Sequence, residues 1–455
     1  MVVKARAAMA WYADEIAAHG QARIDEAVTA LAWSIYEPAR ARRLAEIAVE
    51  VTGIGEVESK VVKNQRKTFG TLRDLLRVKS TGIIEHIPDK GIVKYAKPVG
   101  VVGALTPSTN PSATPVNKAM MALKGGNAVI IAPPPSAWAA TQPAVDGMRR
   151  ELEKIGLPAD LVQLLPNPVT REATTRLMQL VDLVVVTGSQ VNVKGAYKSG
   201  TPAIGVGLGN APVIIDTSAD LADAAHKIMQ SKTFDHATSC SSENALVIVE
   251  EVYDMAIAAL RREGGYLATA AERARIVDRL WQDGKLNRAV IAQGSPALID
   301  AFELGADAQG CKFVMVEETG TGTDYPLSGE ILTVYRARDF ADAKRIVRDI
   351  LEYQGKGHSC GIHTKDPAHA RELARDIDVV RVLVNQAHTF GNGGGFDNGL
   401  PFTLSMGCGT WQGNSISDNL NWRCFVNITH LVTTIPEDKP SEEALFGAYW
   451  AKYGK

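Results

Sequence analysis

The chain has 455 residues, 45% of them hydrophobic and 22% charged, a length that exceeds one ordinary hydrophobic core and predicts two or three globular domains. Lys and Arg total 49 against 51 for Asp and Glu, so the formal charge of −2 gives no electrostatic reason to expect nucleic acid or an anionic membrane as partner. Five scattered cysteines without a CxxC pair argue against a disulfide scaffold; with no signal-peptide core and no apolar run of transmembrane length, a reducing cytoplasm is expected.

Residues 3–75 read as helices, with Ile24, Val28, Leu31, Ala32 and Ile35 at spacings of three and four, and Gly20 and Pro38 as punctuation. Residues 82–97 read as a β-hairpin turning at Pro88-Asp89-Lys90-Gly91. Its apolar face needs a cover, and a subunit interface is one physical answer.

From Pro98 the pattern becomes strand, turn, helix. A strand over 99–105 runs into Thr106-Pro107-Ser108-Thr109-Asn110-Pro111, and a helix over 115–123 leads to a strand over 128–132 that ends in Pro133-Pro134-Pro135-Ser136. A helix over 137–154, a strand at 162–165 and a helix over 170–180 precede a strand at 183–186 that ends at Thr187-Gly188-Ser189. Such repetition predicts a mostly parallel sheet. Ligands of these sheets bind beyond the carboxyl ends of the strands, which puts Thr106 to Asn110, Pro133 to Ser136 and Thr187 to Ser189 on one rim. Gly205-Val206-Gly207-Leu208-Gly209 precedes a strand at 213–215 rather than opening a helix, so it is no dinucleotide fingerprint; close backbone packing beside a ligand and a plain loop explain it about equally.

A second α/β unit begins near Phe234, with strands at 244–249, 312–316, 330–335 and 380–384 and helices at 219–230, 251–262, 270–283 and 340–352. Cys240 lies among Thr238, Ser239, Ser241 and Ser242, just before the strand at 244–249. A thiol at such a junction can act as a nucleophile where its surroundings favour the thiolate; a buried structural cysteine is the alternative. His358-Ser359-Cys360-Gly361-Ile362-His363 has zinc-like spacing but no fourth ligand nearby in sequence, so no metal is expected. Beyond 385 come glycine-rich loops at 391–395 and 407–415, of the kind that often line sites. A further strand from Cys424 and a charged helix complete the tail.

Taken in order, Val99-Gly100-Val101-Val102-Gly103, Thr106 to Pro111, Thr187-Gly188, the 205–210 segment and Cys240 resemble the aldehyde dehydrogenase superfamily over residues 3–435. The segment Gly355 to His363 is similar to its CoA-acylating branch. The resemblance implies two open α/β domains with an oligomerisation hairpin: a nicotinamide-binding domain over 1–81 and 98–232, a hairpin and tail over 82–97 and 424–455, and a catalytic domain over 233–423. It implies Cys240 as nucleophile, Asn110 as the oxyanion-hole amide, and NAD or NADP with coenzyme A as co-substrate. Thr106, Pro107, Pro133, Pro134, Ser136, Thr187, Gly188, Ser189, Gly207 and Gly209 are the expected cofactor contacts. His358 is either a group near the thioester, titrating near neutrality, or a structural histidine.

Two departures bear on the chemistry. Hydrolytic members carry a glutamate where this chain has Gly205 to Gly209, so water loses its activating base and a thiol acceptor such as coenzyme A becomes plausible. Pro133 to Ser136 replaces a lysine aimed at the adenosine ribose, which leaves NAD and NADP both open. Within the branch the resemblance is to enzymes of sulfoacetaldehyde and of succinate semialdehyde, and a small anionic aldehyde is the expected substrate, with sulfoacetaldehyde ahead. An anionic aldehyde wants an arginine or several donors near Cys240; Thr238, Ser239, Ser241 and Asn244 are close in sequence, but no arginine can be placed there. A homodimer or homotetramer is expected. The competing readings are a short-chain or succinate-semialdehyde acylating enzyme, a hydrolytic dehydrogenase with an unrecognised base, and a non-catalytic scaffold of the same fold.

Overall fold

The computed structural model describes residues 1–283, 285–320 and 330–455. Four helices, Val2–His19, Gln21–Tyr36, Pro38–Thr52 and Val57–Leu76, open the chain. Gly20, at φ 68°, separates the first two, and Pro38 starts the third, with the Glu37 carboxylate accepting from the Ala39 and Arg40 amides. Missing donors and fixed φ suit proline to that first turn.

Five parallel strands form the first sheet, in the order Val162–Leu164, Ala128–Ala132, Val101–Leu105, Leu183–Val186, Ala203–Gly205. Every residue of Val101–Leu105 and Ala128–Ala132 is buried. Helices cover both faces, which is why these strands read as unbroken apolar runs. The strand Ala203–Gly205 and the helix Gln190–Tyr197 before it are too short to leave a periodic signal.

Seven parallel strands form the second sheet, in the order Gly265–Leu267, Phe313–Glu318, Ile331–Ala337, Glu243–Val249, Ala211–Ile215, Gly357–His363, Val379–Val384. The change of sheet therefore comes at 206–210, ahead of the boundary expected at 232/233, because Ala211–Ile215 pairs with Glu243–Val249 and with Gly357–His363. The helix expected over 270–283 ends at Leu280, and Trp281–Gln282 instead pairs with Lys285–Leu286.

The hairpin is present as Gly82–Ile87 and Ile92–Pro98, and the tail strand Val426–Val432 adds antiparallel to its second strand. This third sheet stands apart from the other two. Ile83, Ile428, Leu431 and Val432 are exposed on it, as are Leu445 and Phe446 on the following helix Glu442–Tyr453.

Helix Val57–Leu76 buries a polar face: Ser59, Lys60, Lys63, Asn64, Thr68 and Thr71 all lose solvent. The loop around Phe402 closes down on it at Gly70, where a Cβ would sit 2.3 Å from the Phe402 ring.

Candidate active site

The carboxyl ends of the first sheet face the loop that enters the second sheet at Glu243, and between them lies a cleft of about 520 Å³. That is the size range of sites for small molecules and cofactor fragments. Thr106, Pro107, Asn110, Pro134, Thr187, Gly188, Ser189, Gly207, Gly209 and Cys240 all line it. Three expected residues do not. Pro133 is buried directly behind the last residue of its strand, Ser136 is exposed in the 3-10 turn Pro135–Ala137 to one side, and His358 lies in the interior.

Cys240 reaches the cleft through a strained turn. Asp235, His236 and Ala237 have φ of 53°, 50° and 54°, a left-handed run of three non-glycine residues. Each such residue costs on the order of 1–3 kcal/mol and persists only where the surroundings hold it. Here Asp235 is buried and accepts from Lys60 Nζ (3.1 Å), Lys63 Nζ, Thr238 Oγ1 (2.6 Å) and the Glu56 amide (2.9 Å). Lys60 also donates to the Thr109 carbonyl at 3.1 Å, so one ionic cluster ties the Asn110 loop to the Cys240 turn. His236 Nδ1 sits 2.9 Å from Glu330 Oε1, and this partner raises the imidazole pKa.

The thiol is exposed to the cleft, but the dense protein around it pushes its pKa up; Arg381, Ser241 and Lys63 pull the other way. Arg381 is buried behind the thiol, with Nη1 on Asn419 Oδ1 (3.1 Å) and Nη2 on the His358 and Gly407 carbonyls (2.8 Å each). These neutral acceptors leave its charge free to act on the cysteine.

The glycine segment packs against that cysteine. A Cβ on Gly209 would lie 1.9 Å from the Cys240 carbonyl oxygen, and one on Gly207 would lie 2.2 Å from Gln412 Oε1. Gln412 clamps Leu208 with two hydrogen bonds, accepting from its amide (2.8 Å) and donating to its carbonyl (2.9 Å). Among the described residues, those lining the cleft include no Asp, Glu, His or Lys.

His358 is fully buried, with Nδ1 2.8 Å from Ser359 Oγ and Nε2 lacking a hydrogen-bond partner. Burial drives its pKa well below the ordinary value, which favours the structural one of the two readings of His358. It reaches the Cys240 turn only indirectly: Asn392 Nδ2 donates both to Ser359 Oγ (3.2 Å) and to Ser241 Oγ (3.0 Å). In the strand Gly357–His363, alternation sends His363 to the face opposite His358 and Cys360, which disposes of the zinc-like spacing.

The structure also brings in residues that sequence reasoning passed over. Lys63, Arg66 and Lys67 of helix Val57–Leu76 line a second, smaller cavity that shares Asn110, Ser239 and Leu404 with the cleft. With Lys60 they fall at positions i, i+3, i+6 and i+7, one face of a helix. That spacing was the available signal, but a basic helical stripe usually means a solvated face.

The model of the aldehyde dehydrogenase family matches residues 5–397. A sulfoacetaldehyde dehydrogenase (acylating) of Cupriavidus necator is 52% identical over 446 residues, covering 97% of this chain and 90% of the relative. A succinate-semialdehyde dehydrogenase (acetylating) of Clostridium kluyveri is 35% identical over 439 residues, covering 95% and 96%. The crystal structure of an acetylating aldehyde dehydrogenase from Geobacillus thermoglucosidasius matches with a TM-score of 0.91 at 33% identity, over 97% of both chains. Two parallel sheets meeting at an exposed cysteine, and agreement along nearly the whole sequence, lead to one conclusion: the chain belongs to the aldehyde dehydrogenase family, in its CoA-acylating branch.

Proposed function

We propose that the chain oxidises a small anionic aldehyde, sulfoacetaldehyde foremost, to its acyl-CoA through a thioester on Cys240, with NAD(P)+ as hydride acceptor. Cys240 Sγ adds to the aldehyde carbon to give a thiohemiacetal. Charge developing on the carbonyl oxygen is met by the Asn110 side-chain amide and the Cys240 backbone N–H. The nicotinamide cofactor supplies an acceptor for the hydride that leaves the former aldehyde carbon as the thioester forms. The thiol of coenzyme A then attacks the thioester, the C–S bond to Cys240 breaks, and acyl-CoA departs. One aldehyde, one thiol and one oxidised cofactor become one acyl-CoA, one reduced cofactor and one proton.

The first-sheet half fits the cofactor. Thr106 Oγ1 is buried at the cleft without a partner among the described residues, and Ser189 opens the helix Gln190–Tyr197, whose first turn brings Asn192 to the same wall. Thr106, Pro107, Pro134, Thr187, Gly188 and Ser189 would hold the cofactor there, with Gly207 and Gly209 keeping the floor low. The second sheet, whose strand Glu243–Val249 follows Cys240, carries the acyl chemistry. The third sheet and tail helix, with their exposed apolar side chains, suit contact between copies of the chain.

One observation carries the acyl-transfer reading: among the described residues no carboxylate or imidazole lines the cleft, and the contact of Gly209 with Cys240 leaves no room for a side chain there. Water lacks a base to activate it, whereas a thiol ionises readily enough to attack by itself. Incubation with sulfoacetaldehyde and NAD(P)+ in the absence of coenzyme A should leave an acyl adduct on Cys240 by mass spectrometry. Adding coenzyme A should release that adduct as acyl-CoA. Free acid formed at the same rate with or without coenzyme A would refute the reading.

A further inference from the structure

On the other side of the Asn110–Ser239 gap from the cleft, Lys63, Arg66 and Lys67 face Phe234 and Phe390 across a cavity of about 30 Å³. A single water needs roughly 10–15 Å³ by a comparable measure, so the space suits a headgroup of a few heavy atoms and not a nucleotide or a pantetheine arm.

Its cations are unequally compensated. Lys63 shares Asp235 with Lys60. Arg66 and Lys67 form no ion pair with a carboxylate among the described residues. The Arg66 guanidinium sits 5.3–5.5 Å from the ring centroids of Phe390, Phe396 and Phe402, and its Nη1 is buried with no hydrogen-bond partner among the described residues. Lys67 Nζ donates once, to the Gly393 carbonyl at 2.8 Å, which leaves ammonium protons for another acceptor. Desolvation pulls the pKa of Lys67 down to about 7, with Arg66 and Lys63 adding to the effect. Asp397 acts on Arg66 without forming an ion pair with it, so the desolvation of the two cations is only partly compensated, and an anionic guest offsets the remainder.

We propose that Arg66 and Lys67 bind the sulfonate of the aldehyde, one methylene away from the carbonyl that Cys240 attacks, and so select anionic over neutral aldehydes. The inference rests on the acylating reading above and adds the residues that choose the substrate. A sulfonate offers three acceptor oxygens. The Arg66 guanidinium and the Lys67 ammonium line the recess from one helix, and charge-assisted bonds to them are the strong kind. A carboxylate on a longer chain, as in succinate semialdehyde, has to fit two methylenes into the same space.

The test compares kcat/KM for CoA-dependent NAD(P)+ reduction with sulfoacetaldehyde, succinate semialdehyde and propionaldehyde in the full chain and in Arg66→Gln, Lys67→Gln and Lys67→Arg. Each Gln variant should lose at least ~10-fold more with sulfoacetaldehyde than with propionaldehyde, chiefly through KM, as expected for hydrogen bonds to a charged group. Lys67→Arg should recover part of the loss. Equal losses for both aldehydes, or no loss, would overturn the proposal, and a greater loss with succinate semialdehyde would overturn the sulfonate assignment. Should the variants fail to fold, ethanesulfonate must compete with the aldehyde in the unaltered protein; absence of competition overturns the proposal as well. The two readings fail separately. Acyl-CoA from propionaldehyde without preference for the anion sinks only the headgroup site, whereas no acyl-CoA from any aldehyde sinks the acylating function.

Discussion

The two cavities that meet beside Cys240 are built from opposite materials. The larger is walled by glycine, proline, threonine, serine, asparagine and a few apolar side chains, and among the described residues no ionisable side chain but the cysteine itself lines it; the smaller is walled by three cations and two aromatic rings, with Asn110, Ser239, Thr389 and Leu404 between them. The contrast teaches how one thiol serves several reactants. In the proposed reaction, a wide cleft without charged side chains among its described residues lets a cofactor and a second thiol take turns without offering water a base. On the proposed reading, a small, charged recess holds one end of the aldehyde still. Between them the Cys240 turn is under strain, and buried ion pairs hold it in place.

That division is open to attack at several points. The largest effect should come from Cys240→Ser: aldehyde oxidation should fall by at least ~10²-fold, and the acyl adduct should vanish from the mass spectrum. Activity retained with every aldehyde would remove the thiol from the centre of the comparison. Next is Asp235→Ala, which leaves Lys60 and Lys63 buried without their shared carboxylate and should destabilise the fold by about 3–5 kcal/mol. Denaturant midpoints would measure it, and an unchanged midpoint would mean that the strained turn is held by something else.

Asn110→Ala should lower kcat by on the order of 10²–10³-fold with all aldehydes alike, because an oxyanion donor acts on the carbonyl and not on the headgroup. A loss confined to the anionic substrate would move Asn110 from the oxyanion to the charged recess. The smallest effect is one of pH. Lys67, with a pKa near 7, faces Lys63 and Arg66 on its own helix and Cys240 across the gap; Asp397 acts on Arg66 from the glycine-rich loop. As pH rises through about 7 Lys67 loses its proton while Arg66 stays charged, so affinity for an anion is full below that pH and declines above it. KM for sulfoacetaldehyde should therefore climb several-fold between roughly pH 6 and pH 8.5, and KM for propionaldehyde should not follow. Parallel profiles for the two aldehydes would detach Lys67 from the headgroup.

Much of the architecture was legible because it depends on local pattern. Buried parallel strands must be apolar throughout, and their ends must turn, so Val101–Leu105, Ala128–Ala132 and Leu183–Val186 showed themselves together with the rim that follows each. Cys240 stood out for the same reason, as a thiol among hydroxyls at the mouth of a strand. The hairpin and the late strand Val426–Val432 were visible separately, and their pairing, which sets Val426 opposite Pro98 and Asn427 opposite Lys97, was a tertiary matter. His358 shows the limit from the other side. Its sequence neighbourhood is characteristic of the branch, yet the strand Gly357–His363 runs through the interior, and burial takes away the titration that would have made the imidazole useful.

Residues 60, 63, 66 and 67 mark the boundary most clearly. By itself the sequence determined a helix with a basic stripe, because side-chain spacing along a helix is a local property. Whether that stripe faces water or a reacting centre was decided only when the Cys240 turn and the loop around Phe402 packed onto it, since charge placement gains chemical meaning from what excludes the solvent around it.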